Sequence, residues 1–149
     1  MQNLGQSAFL KNRKDGAKKI DIKIPSEIRR IRGVSSKILG YLGPYNAAEA
    51  KIFDIRLCIE EAVRNAIVHG NKSDKRRYVK ISYWAQDDKL NIVVEDEGGG
   101  FDYKNLPDPT IEGNMLKNSG RGVHIILKLM DSVEFNESGS RIWMIKNIK

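Results

Sequence analysis

Between Leu90 and Gly100 the chain reads LNIVVEDEGGG: apolar residues alternate, a carboxylate takes the next place in the alternation, and three glycines follow. Successive side chains of a strand point to opposite faces, so Leu90, Ile92, Val94 and Asp96 share one side. That side is the buried one, and Asp96 is carried onto it. An ionised carboxylate buried without hydrogen bonds is very costly, so a protein donor or a bound ligand has to answer Asp96. Gly98, Gly99 and Gly100 remove the side chains that would fill the neighbouring space, which permits close backbone approach or φ > 0. Two readings stay open: the floor of a pocket for a flat molecule with an amine edge, or a tight acidic turn in which Asp96 only caps the glycine backbone.

The rest of the chain supplies a frame for that strand. Lys19 to Pro25 alternates through Ile20, Ile22 and Ile24 and predicts a short strand stopped by proline. Ser26 and Glu27 open a helical pattern of Ile28, Ile31, Val34, Ile38, Leu39 and Leu42, ended by Gly43 and Pro44. A second helix is predicted from about Ala47 to His69, with Gly70 as its C-cap. Two strands follow, through Val79 to Ala85 and Leu90 to Val94, joined by a hairpin at Gln86 to Lys89. Phe101 to Ser119 has little periodicity and reads as a long loop of the kind that serves as a functional lid. A short helix from Arg121 to Met130 precedes strands near Ser132 to Asn136 and Arg141 to Ile148, around a turn at Glu137 to Ser140. The order β-α-α-β-β-loop-α-β-β predicts an α+β two-layer sandwich, with the helices on one face of a mainly antiparallel sheet. Residues 1–17 are polar, basic and aperiodic and are expected to be a flexible tail, leaving 18–149 as one domain.

Composition removes several function classes. No stretch approaches the roughly 20 apolar residues of a membrane span, and the first residues lack the apolar core of a secretory signal, which points to a cytosolic protein without a membrane partner. One cysteine, Cys58, and two histidines, His69 and His124, give neither an internal disulfide nor a zinc cluster. Cys58 sits in an apolar helical pattern and reads as a core residue. The net charge of +7 is local: residues 1–32 hold nine Lys/Arg against three Asp/Glu, leaving +1 for the remainder. With no aromatic residues interleaved among these cations, direct nucleic-acid binding is not favoured.

Two further constellations carry chemistry. In CIEEAVRNAIVHGN, residues 58–71, Glu61 and Asn65 are four apart and share a helical stripe beside the small Ala62 and Ala66. An amide oxygen is a hard ligand suited to Mg²⁺, and a carboxylate one turn away can accept a proton from an attacking hydroxyl. The alternative is a surface helix on which Glu60, Glu61 and Arg64 are solvated charges. In GRGVHII, residues 120–126, two glycines enter a helix, where free N–H groups and the helix dipole suit a phosphate, although the same letters also describe an ordinary loop-to-helix turn.

The order of the three, an Asn-bearing helix, a D-E-G-G-G-F strand end and G-R-G at a helix start, resembles the GHKL (Bergerat-fold) ATP-binding domains. More closely, the chain is similar to the anti-sigma-factor serine/threonine kinases of bacterial partner switching, the RsbW and SpoIIAB type, over about Lys19 to Ile148. The resemblance implies ATP and Mg²⁺ as ligands, with Asp96 taking the adenine amino group, Asn65 ligating Mg²⁺ and Glu61 acting as general base. It implies Gly98 and Gly100 beside the adenine, and Gly120, Arg121 and Gly122 along the phosphates. Ser140 stands where many relatives have threonine near the adenine, keeping the hydroxyl and dropping the methyl. His69 matches a histidine frequent after the asparagine and is read as structural. The implied partners are a sigma factor and a STAS-type anti-anti-sigma antagonist, the implied reaction phosphorylation of that antagonist on serine or threonine. A nucleotide-gated binding module without catalysis is the alternative. Relatives of this kind commonly form homodimers, but Ser26 to Leu42 shows amphipathicity and nothing more specific.

Overall fold

Five strands form one sheet in the order β1-β2-β3-β5-β4, every neighbouring pair antiparallel. The computed structural model describes residues 18–99, 102 and 121–149; the expected tail and the expected lid fall outside the described residues, as do Gly100 and Gly120. The strands are β1 (Ile20–Pro25), β2 (Tyr78–Gln86), β3 (Lys89–Glu95), β4 (Ser132–Phe135) and β5 (Arg141–Asn147), each within two residues of its predicted bounds. The hairpin between β2 and β3 turns at Asp87 and Asp88, both with positive φ, as the twist of a two-residue hairpin demands.

Three α-helices lie on one face: α1 (Ile31–Tyr41), α2 (Glu49–Asn65) and α3 (Arg121–Leu129), with α1 and α3 both packed along α2. Their apolar stripes close over Ile81, Ile92, Val94 and Met144, the inward members of the strand alternation, to form the main core. Cys58 is fully buried there, and its desolvation, with the Asp54 charge adding, pushes the thiol up to about 12, as befits a packing residue.

The first helix begins later than its apolar pattern suggested. Ile28–Arg30 is a single 3₁₀ turn, and Ile28 is exposed. Ser26 does not cap this helix; its hydroxyl donates to the Arg77 carbonyl at 2.8 Å and ties the end of β1 to the approach to β2. The second helix also ends differently, since α2 passes at Ala66 into a π turn, Ala66–Gly70. There the Asn71 N–H donates to the Ala66 carbonyl at 2.8 Å, five residues back.

Asn71 locks this widened turn to the strand that carries Asp96. Its Nδ2 donates to Ser26 Oγ at 2.9 Å and to the Tyr78 carbonyl at 3.0 Å, while its Oδ1 accepts the Glu97 N–H at 2.8 Å. The side chain is completely buried, so each of those groups loses its partner if the amide is removed. Asn71→Ala should therefore cost about 2–4 kcal/mol of stability in urea unfolding. A loss below about 0.5 kcal/mol would show the tie to be dispensable.

Candidate functional site

Asp96 is 9% exposed and stands one residue past β3, where the ladder continues through its own N–H to the Ser140 carbonyl at 2.8 Å. Its Oδ1 accepts the Gly98 N–H at 2.9 Å, which is the turn geometry held open above as the alternative to a pocket. The turn reading is realised, and Asp96 also lines a hollow. The bonded amide orients the carboxylate, and the same side chain lines a hollow with Ala62, Asn65, Ala66, Val94 and Ser140. A carboxylate has lone pairs enough for more than one donor.

Gly70 makes this arrangement possible, and it is not the left-handed C-cap expected of it: the positive-φ glycine among the described residues is Gly139. A β-carbon on Gly70 would stand 2.2 Å from Asp96 Oδ2 and 2.3 Å from its carboxyl carbon. One on Gly98 would fall 1.8 Å from the Gly70 carbonyl oxygen. The strand end and the π turn thus meet backbone to backbone, with Asp96 fitted against the space that Gly70 leaves.

Asn65, the last residue of α2, is 7% exposed and lines the hollow beside Asp96. It also lines a wider cleft, together with Glu61, Arg64, His69, Arg121 and Gly122. The side-chain amide of Asn65 stands at the junction of the two cavities, and among the described residues it takes no hydrogen bond. Buried amides are normally satisfied, and this one lines both cavities.

Glu60 and Glu61 part company. Glu60 accepts the Ser35 hydroxyl at 2.7 Å and lies 3.5 Å from Arg56, which holds α2 to α1. Glu61 faces the cleft, and among the described residues no cation lies within 4.0 Å of it. Its Oε2 would be 2.4 Å from a β-carbon on Gly122, the second residue of α3. Gly122 therefore lets α3 seat against the Glu61 carboxylate, a role beyond offering an N–H.

Arg121 is exposed at the start of α3 on the cleft wall. Ser140 follows the turn glycine Gly139, and its hydroxyl already accepts from Asn136 Nδ2 at 2.9 Å and lies 2.9 Å from the Ser138 hydroxyl. Burial, with the Lys72 charge adding, holds the His69 imidazole below its ordinary pKa, favouring the neutral ring. Of the expected site residues, Asp96 and Ser140 line the hollow, Glu61, Arg121 and Gly122 line the cleft, Asn65 lines both, and Gly98 lines neither but donates its N–H to Asp96. Gly70 and Asn71 join them, and their sequence signal was the Gly-Asn pair that closes the helical pattern.

Residues 24–146 match the model of the histidine kinase-like ATPase domain. The chain belongs to that family. Among curated proteins it is similar to the serine-protein kinase RsbW of Bacillus subtilis (strain 168), 28% identical over 142 residues, covering 89% of this chain and 88% of that one. It is 29% identical over 138 residues to the serine-protein kinase RsbW of Staphylococcus aureus (strain MSSA476), covering 87% of each. Among solved structures, the RsbU and RsbW domains of a Mycobacterium tuberculosis protein superpose with a TM-score of 0.59 at 18% identity. That match covers 87% of this chain and 31% of the other, and it speaks for the fold. The α+β sandwich of the GHKL ATPases is thus the fold of this chain. No helix among the described residues is long and apolar enough to cross a membrane.

The two kinds of glycine predict different outcomes. Gly70→Ala should weaken ATP binding at least about tenfold in calorimetry, since its methyl would displace Asp96 or the strand end. Gly40→Ala, on α1 with nothing within 4 Å of the added carbon, should leave binding unchanged and raise stability by about 0.5–1 kcal/mol. Equal ATP affinity in the two variants would separate Gly70 from the nucleotide site.

Proposed function

We propose that this ATPase-family chain is a serine/threonine protein kinase acting as an anti-sigma factor, which phosphorylates a STAS-type antagonist and alternately sequesters a sigma factor. The observation that carries the reading is the buried Asn65 amide at the junction of the two cavities, with Glu61 one helical turn away on the same wall. The smaller hollow suits a purine, its amine edge toward Asp96, with Gly98 allowing close approach and Ser140 beside Asp96 on the neighbouring strand end. The wider cleft suits the phosphates, flanked by Arg121 and Gly122. Gly100 and Gly120 enter on the family resemblance alone.

A divalent cation fits the donor set. Among the described residues no group of three or more His, Cys, Asp and Glu side chains could hold a metal. An ion bound here would rely on the Asn65 oxygen, phosphate and water, the mixed shell that Mg²⁺ prefers. Bound there, Mg²⁺ would neutralise phosphate charge during transfer. The protein's own part is to orient the nucleotide and to accept a proton: Glu61 takes it from the serine or threonine hydroxyl that the partner brings to the cleft. Most of the acceleration then comes from positioning and charge placement.

Glu61→Gln keeps size and hydrogen bonding while removing the base. It should bind ATP with affinity within about twofold of the parent and transfer phosphate to the antagonist at least about 100-fold more slowly. Normal transfer by this variant would remove Glu61 from that role. Absence of label on any antagonist with the unaltered protein would favour a nucleotide-gated binding module instead. Asn65→Ala should weaken ATP binding in the presence of magnesium far more than in its absence. An equal loss under both conditions would argue against a metal role.

A further inference from the structure

Ser140 reaches the hollow from a turn whose own hydrogen bonds converge on its hydroxyl. The turn joins β4 to β5 and is closed by the Asn136 N–H to the Arg141 carbonyl at 3.1 Å and by the Gly139 N–H to the Asn136 carbonyl at 3.1 Å. Gly139 takes a positive φ of 78°, which residues with a β-carbon rarely adopt. Beyond it the Ser140 carbonyl accepts the Asp96 N–H at 2.8 Å, so backbone alone fixes where Ser140 stands. It does not fix where the hydroxyl hydrogen points. Serine lacks the second Cβ substituent that stiffens χ1, and its O–H rotor turns to suit its partners.

Asn136 supplies the missing direction. Its Oδ1 accepts the Arg141 N–H at 3.0 Å, and its Nδ2 donates to Ser140 Oγ at 2.9 Å. A backbone N–H only donates, so the atom facing Arg141 is the amide oxygen and the group facing Ser140 is the amide NH₂. One lone pair of the Ser140 hydroxyl is thereby taken, and its hydrogen is turned away from Asn136. The exposed Ser138 hydroxyl lies 2.9 Å from Ser140 Oγ and itself accepts the Ser140 N–H at 3.4 Å, which leaves its own hydrogen to occupy the second lone pair. A hydroxyl that accepts two bonds has only its hydrogen left to give, and accepting them makes it a stronger donor. The direction that remains is the hollow, which Ser140 lines together with Asp96.

We propose that Asn136 is a positioning residue for nucleotide selection: by donating to Ser140 Oγ it makes the Ser140 hydroxyl a hydrogen donor toward the hollow, where it meets a ring nitrogen flanking a purine amine. The inference rests on the reading of the hollow as a purine site. An acceptor at Asp96 and a donor at Ser140 match an amine with a ring nitrogen beside it. Asn136 is not among the residues that line the hollow, yet it sets the polarity of half of that match.

Asn136→Asp separates positioning from turn structure. The carboxylate still accepts the Arg141 N–H, but it no longer donates to Ser140 and draws the Ser140 hydrogen toward itself. Calorimetry with ATP, 1-deaza-ATP and 7-deaza-ATP reads the outcome, since each analogue lacks one of the ring nitrogens that flank the amine. The parent should prefer ATP over one of the analogues by about tenfold or more, and the Asn136→Asp variant by less than about twofold. Retention of the parent's preference in that variant would overturn the proposal, as would a parent that binds ATP and distinguishes neither analogue. A Ser140→Ala background tests for a role in the turn alone. There Asn136→Asp and Asn136→Ala should each change ATP affinity by less than about twofold, because the hydroxyl through which residue 136 acts is gone. Equal losses with and without that hydroxyl would make Asn136 a turn residue only and overturn the proposal. A parent that binds no ATP would remove the purine reading and this inference with it, a result distinct from binding without discrimination.

Discussion

The contact between the Asp96 carboxylate and the bare backbone of Gly70 is what the site depends on. Strand and helix side chains normally keep the ends of such elements apart. Here a residue without a β-carbon at the end of the π turn, and another at Gly98, remove that spacing and bring the two backbones together. Asn71 then fixes the junction through Ser26, the Tyr78 carbonyl and the Glu97 N–H. The buried acid is held at the mouth of a hollow by contacts that come from four separate stretches of chain.

This junction gives the three chemical groups different kinds of support. Asp96 is set by a turn and a ladder bond, Asn65 by its place at the end of α2, and Glu61 by the seating of α3 through Gly122. Because Glu61 and Asn65 ride on one rigid helix, their separation is a property of helical geometry. The distance from both to Asp96 depends instead on the π turn, whose extra residue per turn widens the end of α2 where the strand meets it. Functional demand and irregular backbone coincide there.

Much of this was legible before any coordinates. Period-two alternation put Asp96 on the helix side of β3, and a spacing of four put Glu61 and Asn65 on one wall, because both periods are direct consequences of backbone geometry. Ordered motifs then identified the family. What escaped was contact between distant residues. Gly70 reads as a helix terminator unless one knows that Asp96 lies against it, and Ser26 reads as a cap unless Arg77 and Asn71 are beside it. Ile28 fits the apolar stripe of α1, yet it sits in a 3₁₀ turn with a different angular step and ends up exposed at the cleft.

The claim that Asp96 reads the amine edge of a purine is tested most directly by calorimetry with ATP and with inosine triphosphate, in the presence of magnesium. The two ligands differ at the ring position that would face the carboxylate, an amine donor in one and a carbonyl acceptor in the other. ATP should bind at least about 30-fold more tightly, the equivalent of about 2 kcal/mol for a buried acceptor set against another acceptor. Equal affinity for the two nucleotides would contradict the assignment of Asp96, and with it the pocket drawn around that residue.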